Sequence, residues 1–193
     1  LGNSGDDLII AGDSDGDDVI DGGADTDTLD FSAGTGSLAL DLSTTAAQTL
    51  GSTYGVDTIS NVENVTATGE ADVITGSSLA NSIDAGTGAD TVDGGAGADT
   101  IDGNSGADTL TGNAGDDTVL GNSGDDLIIT GDSDGDDVID GGADTDTLDF
   151  SAGTGSLALD LSTTAAQTLG STYGVDTISN VENVTATGQA DVI

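Results

Sequence analysis

AGTGADTVD, GGAGADTID, GNSGADTLT, GNAGDDTVL, GNSGDDLII: residues 85–129 are five nine-residue lines laid end to end. Gly or Asn fills positions 1 and 2 of every line except at Ala85, Gly fills position 4, Asp position 6, and a branched aliphatic residue position 8. So much glycine excludes a helix, because each Gly costs about 1 kcal/mol relative to Ala there. Positions 1 to 6 are turn residues. Gly accepts the positive φ that a tight turn needs, and so does Asn, which stands at position 2 as Asn3, Asn104, Asn113 and Asn122. Positions 7 to 9, as in Thr100, Ile101 and Asp102, place β-branched residues around an inward aliphatic and form a very short strand. Strand, turn, strand, turn closes a coil of two nonapeptides. The expected fold is therefore all-β, a parallel β-roll or β-solenoid with two short strands per coil of about 18 residues, stacked at ~4.8 Å. About 10 coils would make a rod on the order of 50 Å long.

Outward from these lines, the position-8 aliphatic falls at Ile9, Ile20 and Leu29, then at Ile74, Ile83 and onward to Ile128, Ile139, Leu148 and Ile193. Two steps are eleven residues long, across the insertions at 11–21 and 130–140. A longer period encloses the short one. Residues 1–74 reappear as 120–193, differing only at Ala11 against Thr130 and Glu70 against Gln189. The chain divides into nonapeptides at 1–30, a degenerate spacer at 31–71, nonapeptides at 72–149, the second copy of the spacer at 150–190, and the start of another array at 191–193. The second unit breaks off mid-repeat, as expected for a piece of a longer tandem array. In the spacer, nine-residue steps from Leu29 meet Leu38, Ala47, Val56 and Val65, all apolar. The spacer is thus expected to continue the coil. A local hairpin is the rival reading, since Leu38, Leu40 and Leu42 alternate as a half-buried strand does.

The formal charge is -37, with no Lys, Arg, His, Cys, Met, Pro or Trp. Without a basic residue nothing pairs with phosphate, which argues against nucleic acid and against docking on an anionic membrane. Without Cys or His, disulfides and zinc are not expected. No run of ~18 apolar residues is present to span a bilayer. Ser and Thr have no His or Lys base to activate them, and the carboxylates recur everywhere with no singular pair in an apolar cleft. No enzyme activity is expected. Leu1 follows no signal peptide, so targeting information is expected elsewhere in a longer chain.

Stacking brings aspartates into register, Asp90 with Asp108 and Asp126, and Asp99 with Asp117. Two bare carboxylates ~4 Å apart repel by ~4 kcal/mol at an effective dielectric of 20; a cation between them reverses the sign. Carboxylates with backbone carbonyls make an all-oxygen site for a hard cation, and a flexible glycine turn favours calcium over the strict octahedron of magnesium. The acids at position 5 (Asp6, Asp116, Asp125) and position 9 (Asp84, Asp93, Asp102) read as a solvated face. Asp13 to Asp18 superficially match an EF-hand loop, but Gly is not at loop position 6 and Ala24 stands where Glu is required.

The lines fit GGxGxDxUx, and so resemble the calcium-binding nonapeptides of the repeats-in-toxin (RTX) family. The stretch GVDTISNVENVTATGEADVITG (55–76) also resembles spacers between such repeats in large bacterial surface proteins. The resemblance implies that the position-6 aspartate ligates calcium between neighbouring coils. Those residues are Asp7, Asp18, Asp27, Asp72, Asp90, Asp99, Asp108, Asp117, Asp126, Asp137, Asp146 and Asp191. Carbonyls of turn residues such as Gly95, Gly97, Asn104, Gly106, Asn113, Gly115, Asn122 and Gly124 would complete the ligand set. Asn81 breaks the series and should weaken the half-site shared with Asp99; Asp25 and Asp144 replace the position-4 Gly and should disturb that turn. The implied function is a calcium-folded structural segment of a secreted or surface-exposed bacterial protein: a stalk, adhesin, surface layer or filament. The alternative is the calcium-triggered C-terminal region of a secreted protease, lipase or toxin. Expected partners are calcium ions, neighbouring repeats and, through open strand edges, other copies end to end.

Overall fold

In the computed structural model, residues 1–13, 16–132 and 134–193 are described; Ser14 and Asp15 of the first insertion, which include part of the EF-hand-like run, and Ser133 of its copy lie outside the described residues. The chain is a parallel β-roll. One face stacks Leu8–Ile10, Thr28–Asp30, Asn64–Thr66, Ser82–Asp84, Thr100–Asp102, Thr118–Ser123, Val138–Ala143 and Val175–Ser179. The other carries Ala39–Asp41, Val73–Thr75, Thr91–Asp93, Thr109–Thr111, Leu127–Ile129, Thr147–Asp149 and Asn183–Thr185. Successive nonapeptides alternate between the faces, so Ile83 pairs with Ile101 and Val92 with Leu110, 18 residues apart. Coils that contain an eleven-residue line lengthen accordingly, pairing Val119 with Ile139 and Ile128 with Leu148.

Each three-residue strand turns its middle side chain inward. Ile74, Ile83, Val92, Ile101, Leu110, Val119, Ile128, Ile139 and Leu148 form a single file of buried aliphatics between the sheets. Flanking residues face out, and Thr91 pairs with Thr109 and Thr100 with Thr118 along the surface. The turns use the left-handed region as the composition requires: φ is 62° at Asn104 and 70° at Asn113 and Asn122. Asp25 and Asp144 were expected to disturb their turns, but they too adopt positive φ, 77° and 83°. Asp can occupy this region because its short side chain bonds locally, and Asp25 accepts the Gly5 N–H through Oδ2 at 3.1 Å.

The spacer combines the two expectations: its ends continue the coil and a hairpin lies between them, though not on the alternation of Leu38, Leu40 and Leu42. Leu38 and Val65 are buried, but Ala47 and Val56, the other two positions in strict nine-residue phase, are exposed. Leu40, Leu50 and Ile59 occupy the interior instead. The cause is an antiparallel hairpin, Gln48–Gly51 against Gly55–Ser60. It is wedged into one face, because Ala39–Asp41 pairs with Val73–Thr75 while Gly55–Ser60 pairs with Val19–Asp21. Gln48 clips the hairpin to Ala39–Asp41. Its Oε1 accepts the Asp41 N–H (2.8 Å) and its Nε2 donates to the Asp41 carbonyl (2.9 Å), as a strand partner would. Phe31 and Tyr54 fill the widened interior edge to face, with centroids 5.3 Å apart, and Tyr54 donates to the Gly36 carbonyl. Phe150 and Tyr173 repeat this in the second unit. Because each spacer spends length sideways, eight parallel strands make a stack of only roughly 35 Å at ~4.8 Å spacing.

Candidate metal centre

The position-6 aspartate ends the turn just before its strand, so stacking places each beside the aspartate one coil away. The two acid groups do not meet head on. The backbone N–H of one donates to Oδ1 of the next: Asp72 to Asp90 (2.7 Å), Asp90 to Asp108 (2.8 Å), Asp99 to Asp117 (2.8 Å), Asp108 to Asp126 (2.8 Å) and Asp126 to Asp146 (2.9 Å). That ladder satisfies one oxygen of each carboxylate. The other is left over. Oδ2 of Asp7, Asp27, Asp90, Asp99, Asp108, Asp117, Asp126 and Asp146 is buried and has no hydrogen-bond partner. A buried anionic oxygen without a partner is costly, and this one recurs on both edges of the roll.

The orphan oxygen faces the position-1 glycine. A Cβ placed on Gly103 would lie 2.7 Å from Asp108 Oδ2 and 3.1 Å from the Gly121 carbonyl oxygen; on Gly94 it would lie 2.7 Å from Asp99 Oδ2 and 3.0 Å from the Gly112 carbonyl. A carboxylate oxygen and a carbonyl oxygen from the next coil thus border one small space that only glycine leaves open. Two acceptors facing one space call for a donor or a cation between them, and the chain has no Lys, Arg or His to serve as either. Among the described residues no group of three or more acidic side chains converges, so backbone carbonyls must provide part of any ligand set, which suits a hard oxygen-seeking ion.

Burial raises the pKa of these carboxyls: Asp90, Asp99 and Asp126 are pushed up to about 6, and Asp137 to about 7, with neighbouring carboxylates adding to the rise. Asp108, Asp117 and Asp146 shift the same way for the same first reason.

The other expected ligands stand apart from this pattern. Asp72 is buried but fully bonded: Thr68 N–H and Oγ1 donate to Oδ2, at 2.8 and 2.9 Å, and the Leu38 N–H donates to Oδ1 at 2.7 Å. Asp191 is held likewise by Thr187 and the Leu157 N–H. Asp18 is exposed at the first coil; Asp137 joins the ladder by accepting the Asp117 N–H, but its Oδ2 is not among the buried oxygens without a partner. Asn81 is the informative exception. Its Oδ1 accepts the Ser77 N–H (2.7 Å) and its Nδ2 donates to the Glu63 carbonyl (2.6 Å), so the neutral amide leaves nothing unmet.

Of the turn carbonyls, those of Gly95 and Asn104 accept the N–H groups of Ala114 and Ser123 from the next coil, and Asn122 pairs with Gly142 in the sheet. The carbonyls of Gly97, Gly106 and Gly115 face the Cα of Gly115, Gly124 and Gly135, where a side chain would collide. Asn113 keeps its positive-φ turn. The position-1 carbonyls that flank the orphan oxygens were not among those expected. The position-9 acids are also less idle than a solvated face: Asn104 Nδ2 donates to Asp84 Oδ1 (2.8 Å), and Asn122 Nδ2 to Asp102 Oδ1 (2.7 Å), stapling adjacent coils.

The spacer contributes two position-6 surrogates to each unit. Asp57 Oδ1 accepts the Asp18 N–H, and Glu63 Oε2 the Asp27 N–H; Asp176 and Glu182 do the same for Asp137 and Asp146. The signal for Asp57 was GVDTIS at 55–60, which carries the Gly, Asp, Thr and aliphatic of positions 4, 6, 7 and 8 out of nine-residue phase.

The pattern of the RTX calcium-binding nonapeptide repeat, four copies in length, matches residues 1–38, 66–101, 75–110, 102–134 and 132–157. No curated protein matches the chain. The matches cover well over half of the sequence and fall on the coils that carry the orphan oxygens, and the chain belongs to the RTX calcium-binding nonapeptide repeat family.

Proposed function

We propose that Asp7, Asp27, Asp90, Asp99, Asp108, Asp117, Asp126 and Asp146 hold calcium between coils through Oδ2, with position-1 carbonyls such as those of Gly112 and Gly121 beside them. The single observation that carries this reading is the column of buried, unpartnered carboxylate oxygens. Asp72 and Asp191, bonded throughout by Thr68 and Thr187, are structural and not ligands in this reading. Calcium is then a member of the fold: the file of single aliphatics is thin, the charge is -37, and ion binding and folding share one free energy.

The chain serves as a calcium-stiffened structural segment of an extracellular bacterial protein, and not as an enzyme. Two near-identical units in tandem suit a stalk, adhesin or filament, in which length comes from copy number. Extracellular calcium modules work at about 10⁻⁴ to 10⁻³ M, so the chain would fold on the outside of the cell.

Small-angle scattering tests this. In millimolar calcium the expected particle is compact, with a radius of gyration near the ~16 Å of a folded chain of this length or somewhat above it for an elongated roll; in chelator it expands toward ~47 Å. The same compact scattering in both would contradict the reading.

A further inference from the structure

Thr130 is one of the two residues that distinguish the units, standing where the first unit has Ala11. The two are buried to the same depth, 6% and 5% exposed, so the extra group is not there to fill space that Ala leaves open to water. It is a hydroxyl, and its Oγ1 has no partner. Four residues on, in the same eleven-residue line, Asp134 is 5% exposed. The Gly131 N–H donates to its Oδ2 at 2.9 Å, while its Oδ1 has no partner either.

Thr130 and Asp134 both line one cavity of about 280 Å³, with Thr111 and Asn113 on its wall, and the two unpartnered oxygens are buried beneath its surface. Asp134 is not a position-6 residue. Its carbonyl accepts the Gly115 N–H as a position-3 carbonyl does elsewhere, while its side chain is buried. The corresponding position-3 residue Ala114 is exposed.

We propose that this cavity is a further site for a hard divalent cation, with Asp134 Oδ1 and Thr130 Oγ1 as protein ligands and water completing the shell. The volume is several times the ~30 Å³ share of one water, so an ion can enter with part of its hydration shell. Water alone would meet the hydrogen bonds but leave the charge uncompensated, and the surrounding charges are all negative: Asp117 and Asp132 act on Asp134 through space, and Asp132 is already bonded to Thr154. No basic side chain exists to take the place of the ion. The donors differ from those of the inter-coil ladder, so the site stands or falls separately from it.

Native mass spectrometry of the whole chain in a calcium series tests the site, with circular dichroism in saturating calcium as a check on folding. Asp134→Asn is expected to carry one calcium fewer than the parent at saturation. Thr130→Val, which removes the oxygen and keeps the shape, is expected to bind that one ion about tenfold more weakly. Should Asp134→Asn fail to give the β signal, Thr130→Ala decides by the same affinity criterion, since the first unit already buries Ala there. Parental ion counts and affinities in the folded variants would overturn the site and leave the ladder untouched. Loss of calcium-dependent β signal in the parent would instead strike at the ladder.

Discussion

The ladder at 85–129 and the spacer at 31–71 solve the same problem with different materials. Both must hold a strand against its neighbour in a roll with little core. The ladder does so with one aliphatic per nonapeptide and leaves an anionic oxygen unmet at nearly every step. The spacer buries Phe31, Tyr54, Leu38, Leu40 and Leu50, clips its hairpin with Gln48, and bonds both oxygens of Asp72 at its border. In the proposed reading one region depends on an ion and the other on side-chain packing, so that the ladder would set the calcium requirement and the spacer would contribute stability that calcium does not modulate.

The largest expected effect breaks the spacer. Phe31→Ala removes a fully buried ring and its edge-to-face partner, and should cost about 3–5 kcal/mol, read as a lower urea midpoint at every calcium concentration that folds the chain. A cost that vanished in saturating calcium would erase the distinction between the regions.

A pair of variants sharpens it next. Asp108→Asn should move the calcium midpoint of folding about tenfold higher, because an ion ligand is lost. Asp72→Asn, whose carboxylate is already satisfied by Thr68 and Leu38, should lower stability in urea, move the calcium midpoint only by that loss of stability, and bind as many ions at saturation as the parent, while Asp108→Asn binds one fewer. Equal ion counts for the two variants would count against the division.

Protons probe the ladder more gently. Asp90, Asp99 and Asp126 titrate near 6 and Asp137 and Asp176 near 7 in the ion-free roll, raised by burial above the unfolded value. The folded state thus holds more protons than the unfolded one across this range. Its stability is fullest below the unfolded pKa near ~3.9 and is lost as pH rises through 6 to 7. In chelator the β signal should be greater at pH 4 than at pH 7.5, while calcium affinity should change in the opposite sense, falling on acidification.

The ladder was legible in the sequence because its period is imposed by the coil: Gly, Asp and aliphatic must recur at every turn of 18 residues. The same logic read the spacer only at its ends. Val65 held phase, pairing with Leu29 and Ile83; Leu38 is buried but lies two residues before Leu40, which is the residue opposite Ile74, and Ala47 and Val56 are exposed, since an antiparallel hairpin reverses direction and need not respect a coil's count. Among the metal ligands, the aspartate column was legible and the distinction within it was not. Whether Oδ2 is orphaned or met by Thr68 depends on a turn partner four residues away, which the nonapeptide pattern does not encode. The position-1 carbonyls were likewise hidden, because glycine in a repeat announces a turn without saying which way its carbonyl points. Asn81 announced itself as a departure. Its self-sufficiency, one amide meeting both needs that an aspartate leaves to an ion, became visible only with Ser77 and Glu63 in place.

If cations occupy the places faced by the orphaned Oδ2 atoms, the roll forms only in their presence. A calcium titration of the whole chain at pH 7.5, followed by far-ultraviolet circular dichroism, tests it most directly. The chain should be expanded and without β signal in chelator, and rise cooperatively to a β-rich spectrum by millimolar calcium; the same β signal at both ends of the titration would mean that the roll needs no ion.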